Sequence, residues 1–206
     1  MGNKLNFAKW KLTTISMVDL YDTLQYFMQA PSVTGFEQQR RERIIDVFSK
    51  YCETVSVDVM GNVIGTLGDG ERDVMLAGHY DQLGFMITHV QDNGFAGFTQ
   101  VGGWDKRVAY GTRVKVWIGD GPEDYIIGAV AVKAAHLTDA KERDKSPALK
   151  DMLLDLGVDS KEEAVKLGIK SGTVCTPYLD VTRLGTRDSD KIVGPAFDDV
   201  CCVAGL

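Results

Sequence analysis

Apolar residues recur at helical spacing in the first part of the chain, after a polar and weakly patterned stretch at residues 1–14 that is expected to be a loose tail. Residues 17–28 carry apolar side chains every three or four positions, which predicts an amphipathic helix. The turn-forming residues 30–35 end this helix, and a second helix is predicted at about residues 36–51. Two helices are therefore expected before the first strand.

Alternating and continuous apolar runs then predict strands. Residues 54–59 and 63–67 flank a turn at residues 60–62 and fit a hairpin. The continuous apolar run at residues 73–78 is typical of a buried strand in a parallel sheet. His79 follows this run directly, at the place where open α/β sheets bind their ligands.

The pattern changes after His79, where short strands alternate with glycine turns. Strands at this spacing are typical of a small barrel or sandwich. One helix interrupts them up to about Leu167, and Ser160 and Glu163 stand at the spacing of a capping box at its start. From Ala196 the pattern is helical again, and the sequence stops in the middle of that pattern, which we interpret as the front part of a longer protein.

These elements predict an α/β domain that is interrupted by a β-rich insert. The first part of the α/β domain would take residues 15–82, the insert residues 83–190, and the return segment residues 191–206. This order would bring Asp198 back beside His79, although more than half of the chain separates them.

Composition and charge narrow the classes of function. The chain is 44% hydrophobic and 25% charged, as globular proteins are, and its net charge of −6 excludes a basic nucleic-acid footprint. The basic run at residues 40–43 is expected on a solvated helix face. No apolar run approaches the roughly 20 residues that a membrane span needs. The four cysteines lack CxxC spacing, which favours a reducing compartment, so we expect a cytoplasmic protein.

His79 and Asp81 are candidates for one site, because residues two apart in extended chain point to the same side. Asp81 would then hold the tautomer of His79. The other compact acidic motif with apolar flanks is Asp198-Asp199, and a histidine with a distant acid pair indicates half of a metal site. Each motif alone is weak, since a lone histidine is more often structural and an acid pair usually begins a helix.

Several motifs that occur in order change this balance. They are residues 30–37 (APSVTGFE), 60–62 (MGN), 78–86 (GHYDQLGFM), 101–105 (VGGWD) and 194–199 (GPAFDD). Together they closely resemble the tetrahedral aminopeptidases, which are cytoplasmic two-metal exopeptidases also named glutamyl aminopeptidases or, in older usage, endoglucanases. The resemblance covers about residues 17–206 and implies a zinc-exopeptidase-like α/β sheet domain, incomplete here, with a β-barrel-like insert domain.

The resemblance also implies roles for the site residues. His79 would be a ligand of one metal ion, Asp81 would support it at the catalytic centre, and Asp198 would bridge two divalent ions, zinc or cobalt. Asp199 would follow Asp198 through a cis peptide bond. A water activated by the two metals would attack the first peptide bond and release N-terminal residues from peptides. The insert would drive assembly of a large hollow homo-oligomer.

The sequence departs from the family pattern at two positions. Gln82 stands where the family usually has Glu, and Val200 where it usually has a basic or amide residue. Neither position is a ligand, but both are close enough to change metal affinity. The family's glutamate pair and its last ligands would come after Leu206, so we expect this fragment of a metalloprotease to be inactive alone.

The remaining candidate residues are expected to be structural. His89 is expected to be a structural or surface residue of a strand, His136 to have a packing or interface role in the insert, and Trp104 to be a packed residue of the barrel. Thiolates are good zinc ligands, but Cys201 and Cys202 are assigned to a small buried helix face.

Two other functions stay open at this point. The chain could be a non-catalytic relative with an assembly or binding role through the insert, in which case Gln82 and Val200 are signs of a decayed site. A glycoside hydrolase would instead need two carboxylates about 5–9.5 Å apart and no metal.

Overall fold

The computed structural model describes residues 17–132 and 147–206, and the fold is given for these residues. The predicted tail at residues 1–14 and His136 lie outside them. The architecture is a mixed α/β one. The helices are α1 (Met17–Met28), α2 (Gln38–Tyr51), α3 (Lys106–Ala109), α4 (Lys161–Lys166) and α5 (Phe197–Gly205), with one short 3-10 turn at Leu149–Asp151.

Short strands make up the rest of the regular structure. They are β1 (Thr54–Val57), β2 (Val63–Thr66), β3 (Gly84–Val90), β4 (Ala96–Val101), β5 (Arg113–Trp117), β6 (Tyr125–Ala131), β7 (Leu153–Asp155), β8 (Val174–Pro177), β9 (Thr182–Arg183) and β10 (Ile192–Val193). β1 and β2 form an antiparallel hairpin, and so do β9 and β10.

Six strands close into a barrel in the order β3-β4-β7-β6-β5-β8, and every pairing is antiparallel. Apolar side chains fill its interior, with Phe85, Val114 and Leu154 fully buried. Trp104 stacks on Phe85 with ring centroids 4.4 Å apart, and its indole N–H donates to the Gly84 carbonyl. The prediction of a small barrel with Trp104 packed against it is therefore confirmed. Closure of the barrel removes the unpaired edges that short strands would otherwise expose.

The elements outside the barrel form a second core. α1 packs on α5 and α2, and the buried side chains of this core include Leu24, Phe27, Ile44, Val200 and Val203. The two predicted first helices are confirmed, the second beginning at Gln38 rather than at residue 36. The last helix is confirmed too, and its packing on α1 brings the final segment of the chain back to the first.

The capping box of α4 is present in detail. The Ser160 hydroxyl accepts from the Glu163 N–H at 3.2 Å, and the Glu163 carboxylate accepts from the Asp159 N–H at 2.9 Å. The Glu163 N–H of the first helical turn is thus satisfied by the cap residue, as the spacing predicts, and the reciprocal bond of Glu163 goes to Asp159, the residue before the cap.

The predicted buried strand at residues 73–78 is wrong. These residues form no strand, and the side chains of Val74 and Met75 are exposed, at 85% and 88%. A buried strand needs neighbours on both sides, and within the described residues the only strand-like parallel pairing is an isolated bridge between Val33 and Gln82. The apolar pattern therefore identifies a segment suited to a sheet, but within the described residues this segment pairs with no strand.

The prediction of a solvated helix face at residues 40–43 is also wrong for Arg40. Arg40 is fully buried, and its guanidinium donates to the carbonyls of Phe27, Ala30 and Tyr80 and to the Gln82 side-chain oxygen. A run of charges does not reveal which member has enough acceptors to be buried. Here they come from the end of α1, the turn after it and the segment after His79.

Candidate metal centre

The structure brings the predicted histidine and acids together. The Nε2 atom of His79 lies 3.2 Å from the Asp198 Oδ1 atom, and its Nδ1 atom lies 2.9 Å from the Asp81 Oδ1 atom. The side chains of His79 and Asp198 are 55% and 98% exposed. One imidazole thus stands between two carboxylates at an accessible surface.

The Asp198-Asp199 segment has an unusual backbone at the start of α5. Its peptide bond is cis, as the resemblance implies, and both residues have non-helical dihedral angles. Ala196, just before, has a φ of 55°, in the left-handed region. The Asp199 Oδ2 atom accepts from the His79 backbone N–H at 3.3 Å. The two acids therefore hold the histidine from different sides, one at its ring and one at its backbone.

The loop after α1 holds the segment around His79 in place. The Ser32 hydroxyl donates to the Tyr80 carbonyl at 2.8 Å, and the Gln82 N–H donates to the Ser32 carbonyl at 2.7 Å. The Thr34 hydroxyl donates to the Asp81 Oδ2 atom at 2.6 Å. Because Asp81 contacts the imidazole with its other oxygen, Thr34 fixes the carboxylate that fixes His79.

Arg40 supports the same segment from below. Its Nη1 atom donates to the Tyr80 carbonyl at 3.0 Å, and Nη2 donates to the Gln82 side chain. Burial, followed by the charge of Arg43, lowers the pKa of Arg40 to about 9, while Asp81 acts in the opposite direction. Gln82 thus serves as a neutral acceptor for a buried cation.

The electrostatics of His79 reflect its two carboxylates. Partial burial acts to lower the pKa of His79, but the hydrogen bonds and charges of Asp198 and Asp81 outweigh it, so the pKa is raised. Carboxylates that stabilise a proton on an imidazole also suit a divalent cation in the same place.

The donor set fits such a cation. When Nδ1–H donates to Asp81, the lone pair of Nε2 faces Asp198, which is the arrangement that orients metal-binding histidines. Two ligand atoms about 2.1 Å from a tetrahedral zinc ion lie roughly 3.4 Å apart. The observed 3.2 Å between His79 Nε2 and Asp198 Oδ1 is close to that spacing.

The other histidine and cysteine assignments have different outcomes. His89 lies exposed on β3, as predicted, with Thr88 Oγ1 at 3.0 Å from its Nδ1 atom. The buried face predicted for Cys201 and Cys202 is wrong, since both are exposed. Val200 and Val203 are the residues of α5 that enter the core. The helical spacing of the apolar residues correctly predicts that α5 has a buried face, but the two cysteines lie outside that face.

Sequence reasoning missed Thr34 and Arg40 as supports of the site. Thr34 lies in the APSVTGFE motif, whose resemblance marks the segment but gives the residue no role. Arg40 gave no usable signal, because a buried arginine in a charged run has the same local pattern as an exposed one.

Known proteins have similar sequences and a similar architecture. The model of the M42 glutamyl aminopeptidases matches residues 61–206. The putative aminopeptidase FrvX of Escherichia coli strain K12 is 30% identical over 178 residues, which cover 86% of this chain and 49% of that protein. The TET1 peptidase of Pyrococcus horikoshii, described as able to assemble into a tetrahedron or a large octahedral shell, superposes with a TM-score of 0.74 at 30% identity, over 92% of this chain and 54% of that one.

An aminopeptidase from the archaeon Desulfurococcus kamchatkensis superposes with a TM-score of 0.81 at 27% identity, over 91% of this chain and 50% of its own. The fold is shared with part of the solved aminopeptidases. The chain belongs to the M42 glutamyl aminopeptidase family, which implies divalent metal cofactors in general. It spans about half the length of the relatives it matches.

Within the described residues, no helix is both long enough and apolar enough to cross a bilayer.

Proposed function

We propose that the full-length protein containing this chain is a two-metal aminopeptidase that releases N-terminal residues from peptides. One observation carries the proposal: the His79 imidazole lies between the carboxylates of Asp81 and Asp198, with its Nε2 atom 3.2 Å from Asp198. His79 would hold one ion, and Asp198 would hold both. The proposed ions are zinc or cobalt, as the family resemblance implies, and zinc accepts both imidazole nitrogen and carboxylate oxygen.

The residues of this chain orient the site rather than complete it. Asp81 accepts a hydrogen bond from the Nδ1–H group, which leaves the lone pair of Nε2 for an ion, and Thr34 holds Asp81 in that position. Asp199 anchors the backbone of His79. When bound, the ions would polarise the scissile carbonyl and lower the pKa of the attacking water. We propose that these 206 residues lack the remaining ligands and the general base and are inactive alone.

Both departures from the family pattern have structural roles that do not require a decayed site. Gln82 accepts from the buried Arg40, and Val200 is fully buried in the core between α5 and α1. These contacts favour an enzyme over a non-catalytic relative. An imidazole between two acids also favours a metal site over the two free carboxylates of a glycoside hydrolase.

The proposal includes the assembly and the location. The Pyrococcus horikoshii relative is described as able to assemble into a tetrahedron or a large octahedral shell, and we propose that the barrel is the contact domain of a homo-oligomer here. The described cysteines are all free thiols, which fits a cytoplasmic protein. Peptides are the proposed substrates, and neither nucleic acid nor membrane is a proposed partner.

Removal of metal tests the proposed reaction. Treatment of the full-length protein with a chelator is expected to abolish hydrolysis of aminoacyl chromogenic substrates, and added Zn²⁺ or Co²⁺ to restore it, because the water is activated only by the bound ions. The same samples are assayed on a β-glucan. Peptide hydrolysis that persists after complete chelation, or metal-independent glucan hydrolysis, would refute the proposal.

Thr34→Val removes the donor to Asp81 while keeping the size and branching of the side chain. We expect kcat/KM to fall by about 10-fold, at the low end for partners of metal ligands, and metal affinity to fall with it. Thr34→Ser keeps the hydroxyl and is the matched control. Equal activity and equal zinc affinity in the valine and serine variants would show that the Thr34 contact has no part in the site.

A further inference from the structure

A second group of ligand atoms lies beside the site. An Asp199 carboxylate oxygen and the sulfur atoms of Cys201 and Cys202 all lie within 4.8 Å of one another. Both cysteines are exposed, and Asp199 is partly buried. The proposed peptidase mechanism uses neither thiol. The two adjacent thiols therefore have no role in the function assigned so far, and the only role assigned to the Asp199 carboxylate is its contact with the His79 backbone.

Packing holds this group in place. Val200 and Val203 bury one face of α5 against the core, which leaves Cys201 and Cys202 on the open side of the helix. Asp199 is fixed by its bond to the His79 N–H and by close approach to Gly78, where a Cβ would lie 3.0 Å from its Oδ2 atom. The carboxylate is therefore held rigidly, and the thiols beside it are open to solution.

The atoms have the spacing that one cation needs. Zinc binds thiolate sulfur at about 2.3 Å, which puts two thiolates of a tetrahedral site roughly 3.7 Å apart. Sulfur atoms within 4.8 Å reach that separation by small side-chain rotations. Thiolates select thiophilic ions, whereas the imidazole and carboxylate of His79 and Asp198 form a harder donor set. The two groups therefore differ in the ions that they prefer.

We propose that Asp199, Cys201 and Cys202 form a binding site for a thiophilic divalent cation of the Zn²⁺ or Cd²⁺ class, separate from the site of His79 and Asp198. On binding, each thiol loses its proton to solvent, and the cation gains two thiolates and one carboxylate oxygen, so the site carries a net charge of −1. A fourth position stays open to water. This inference does not rest on peptidase activity.

Such a site would be coupled to the neighbouring one. Asp199 also accepts from the His79 N–H, so an ion held by the thiols competes for the same carboxylate. Loading the thiol site is expected to loosen the backbone of His79 and make the protein sensitive to thiophilic ions. The cysteines give the chain a chemistry that the peptidase roles of its residues do not need.

Titration with CdCl₂ tests the proposal on the full-length protein, kept reduced with a phosphine. Thiolate ligation gives an ultraviolet sulfur-to-cadmium charge-transfer band, which imidazole and carboxylate ligands do not. The band is expected to be lost in Cys201→Ser/Cys202→Ser, and Cd²⁺ affinity to fall by about 10-fold or more in each single variant. Serine keeps the size of these exposed side chains, and circular dichroism confirms that the variants are folded.

Two matched variants make the result specific. Cys52→Ser removes a thiol on another surface, and His79→Ala removes the imidazole of the neighbouring site. Both are expected to keep the charge-transfer band. A band that survives in the double serine variant, or that is lost in Cys52→Ser or His79→Ala, would overturn the proposal of a separate thiol site.

Discussion

His79→Ala and Asp198→Ala are each expected to lower kcat/KM for peptide hydrolysis by the full-length protein by at least about a hundredfold. Loss of a partner that merely orients a metal ligand costs about 10–100-fold, and these two residues are proposed as the ligands themselves. Each variant leaves an accessible gap, because both side chains are more than half exposed. The activity loss should therefore come without a loss of folding stability.

Metal content separates this effect from general damage. We expect both variants to bind fewer ions per chain, measured by atomic emission after dialysis, while thermal unfolding stays close to that of the parent. His89→Ala is the control for His79, since His89 is an exposed histidine on β3 whose nearest described side-chain partner is a threonine hydroxyl. Asp92→Ala, also exposed, is the control for Asp198. Full activity in a metal-loaded His79→Ala or Asp198→Ala protein would refute the assignment.

Arg40→Leu is expected to lower the free energy of unfolding by about 3–5 kcal/mol, the range found when a buried charged network loses one partner. The change removes the donor to the carbonyls of Phe27, Ala30 and Tyr80 and to the Gln82 side chain. The Tyr80 carbonyl keeps the Ser32 hydroxyl as a donor, and the Phe27 carbonyl keeps the Ala30 N–H. The Ala30 carbonyl and the Gln82 side-chain oxygen lose the donor from Arg40, and each such acceptor costs about 1–3 kcal/mol when water cannot replace the donor.

Urea unfolding of the full-length protein measures this loss. Arg40→Lys keeps the charge but lacks the planar guanidinium that reaches four acceptors. We therefore expect an intermediate loss of free energy of unfolding. Arg72→Leu changes an exposed arginine and is expected to cost less than about 0.5 kcal/mol. The contact of Arg40 with Tyr80 also predicts weaker metal binding in Arg40→Leu. A loss no larger than that of Arg72→Leu would show that the buried network contributes little.

Local pattern was enough to predict much of this fold. The periodicity of residues 17–28, the capping box of Ser160 and Glu163, and the close spacing of strands after His79 are properties of neighbouring residues. The structure agrees with each of them. Barrel closure follows from many short strands and tight turns, whose edges must pair somewhere.

The wrong predictions concern partners that are distant in the sequence. Residues 73–78 have the apolar run of a buried strand, but pairing depends on neighbours that a run cannot specify. Arg40 is buried because carbonyls of α1 and of the following turn converge on it, and Cys201 is exposed because Val200 and Val203 take the buried face. These outcomes depend on how the elements pack together, and the sequence of a single segment does not determine its packing partners.

The candidate site also has contacts that the sequence predicts and contacts that it does not. The spacing of His79 and Asp81 predicts that they share a site, and the order of the elements predicts that Asp198 returns beside them. The structure places both acids within hydrogen-bonding distance of His79. Their roles as metal ligand, support and bridge stay predictions. The contact of Thr34 with Asp81 joins residues 47 positions apart and could not be predicted from residue type, since threonines are common in turns.

The measurement that tests the central claim most directly is X-ray diffraction from crystals of the full-length protein grown with zinc, recorded on both sides of the zinc absorption edge. Anomalous peaks locate zinc without reference to activity. At this site we expect two peaks, one within bonding distance of both His79 Nε2 and Asp198, and the second within bonding distance of Asp198. Zinc at the proposed thiol site would give a further peak beside Cys201 and Cys202. A crystal whose zinc peaks all lie away from His79 and Asp198 would contradict the account.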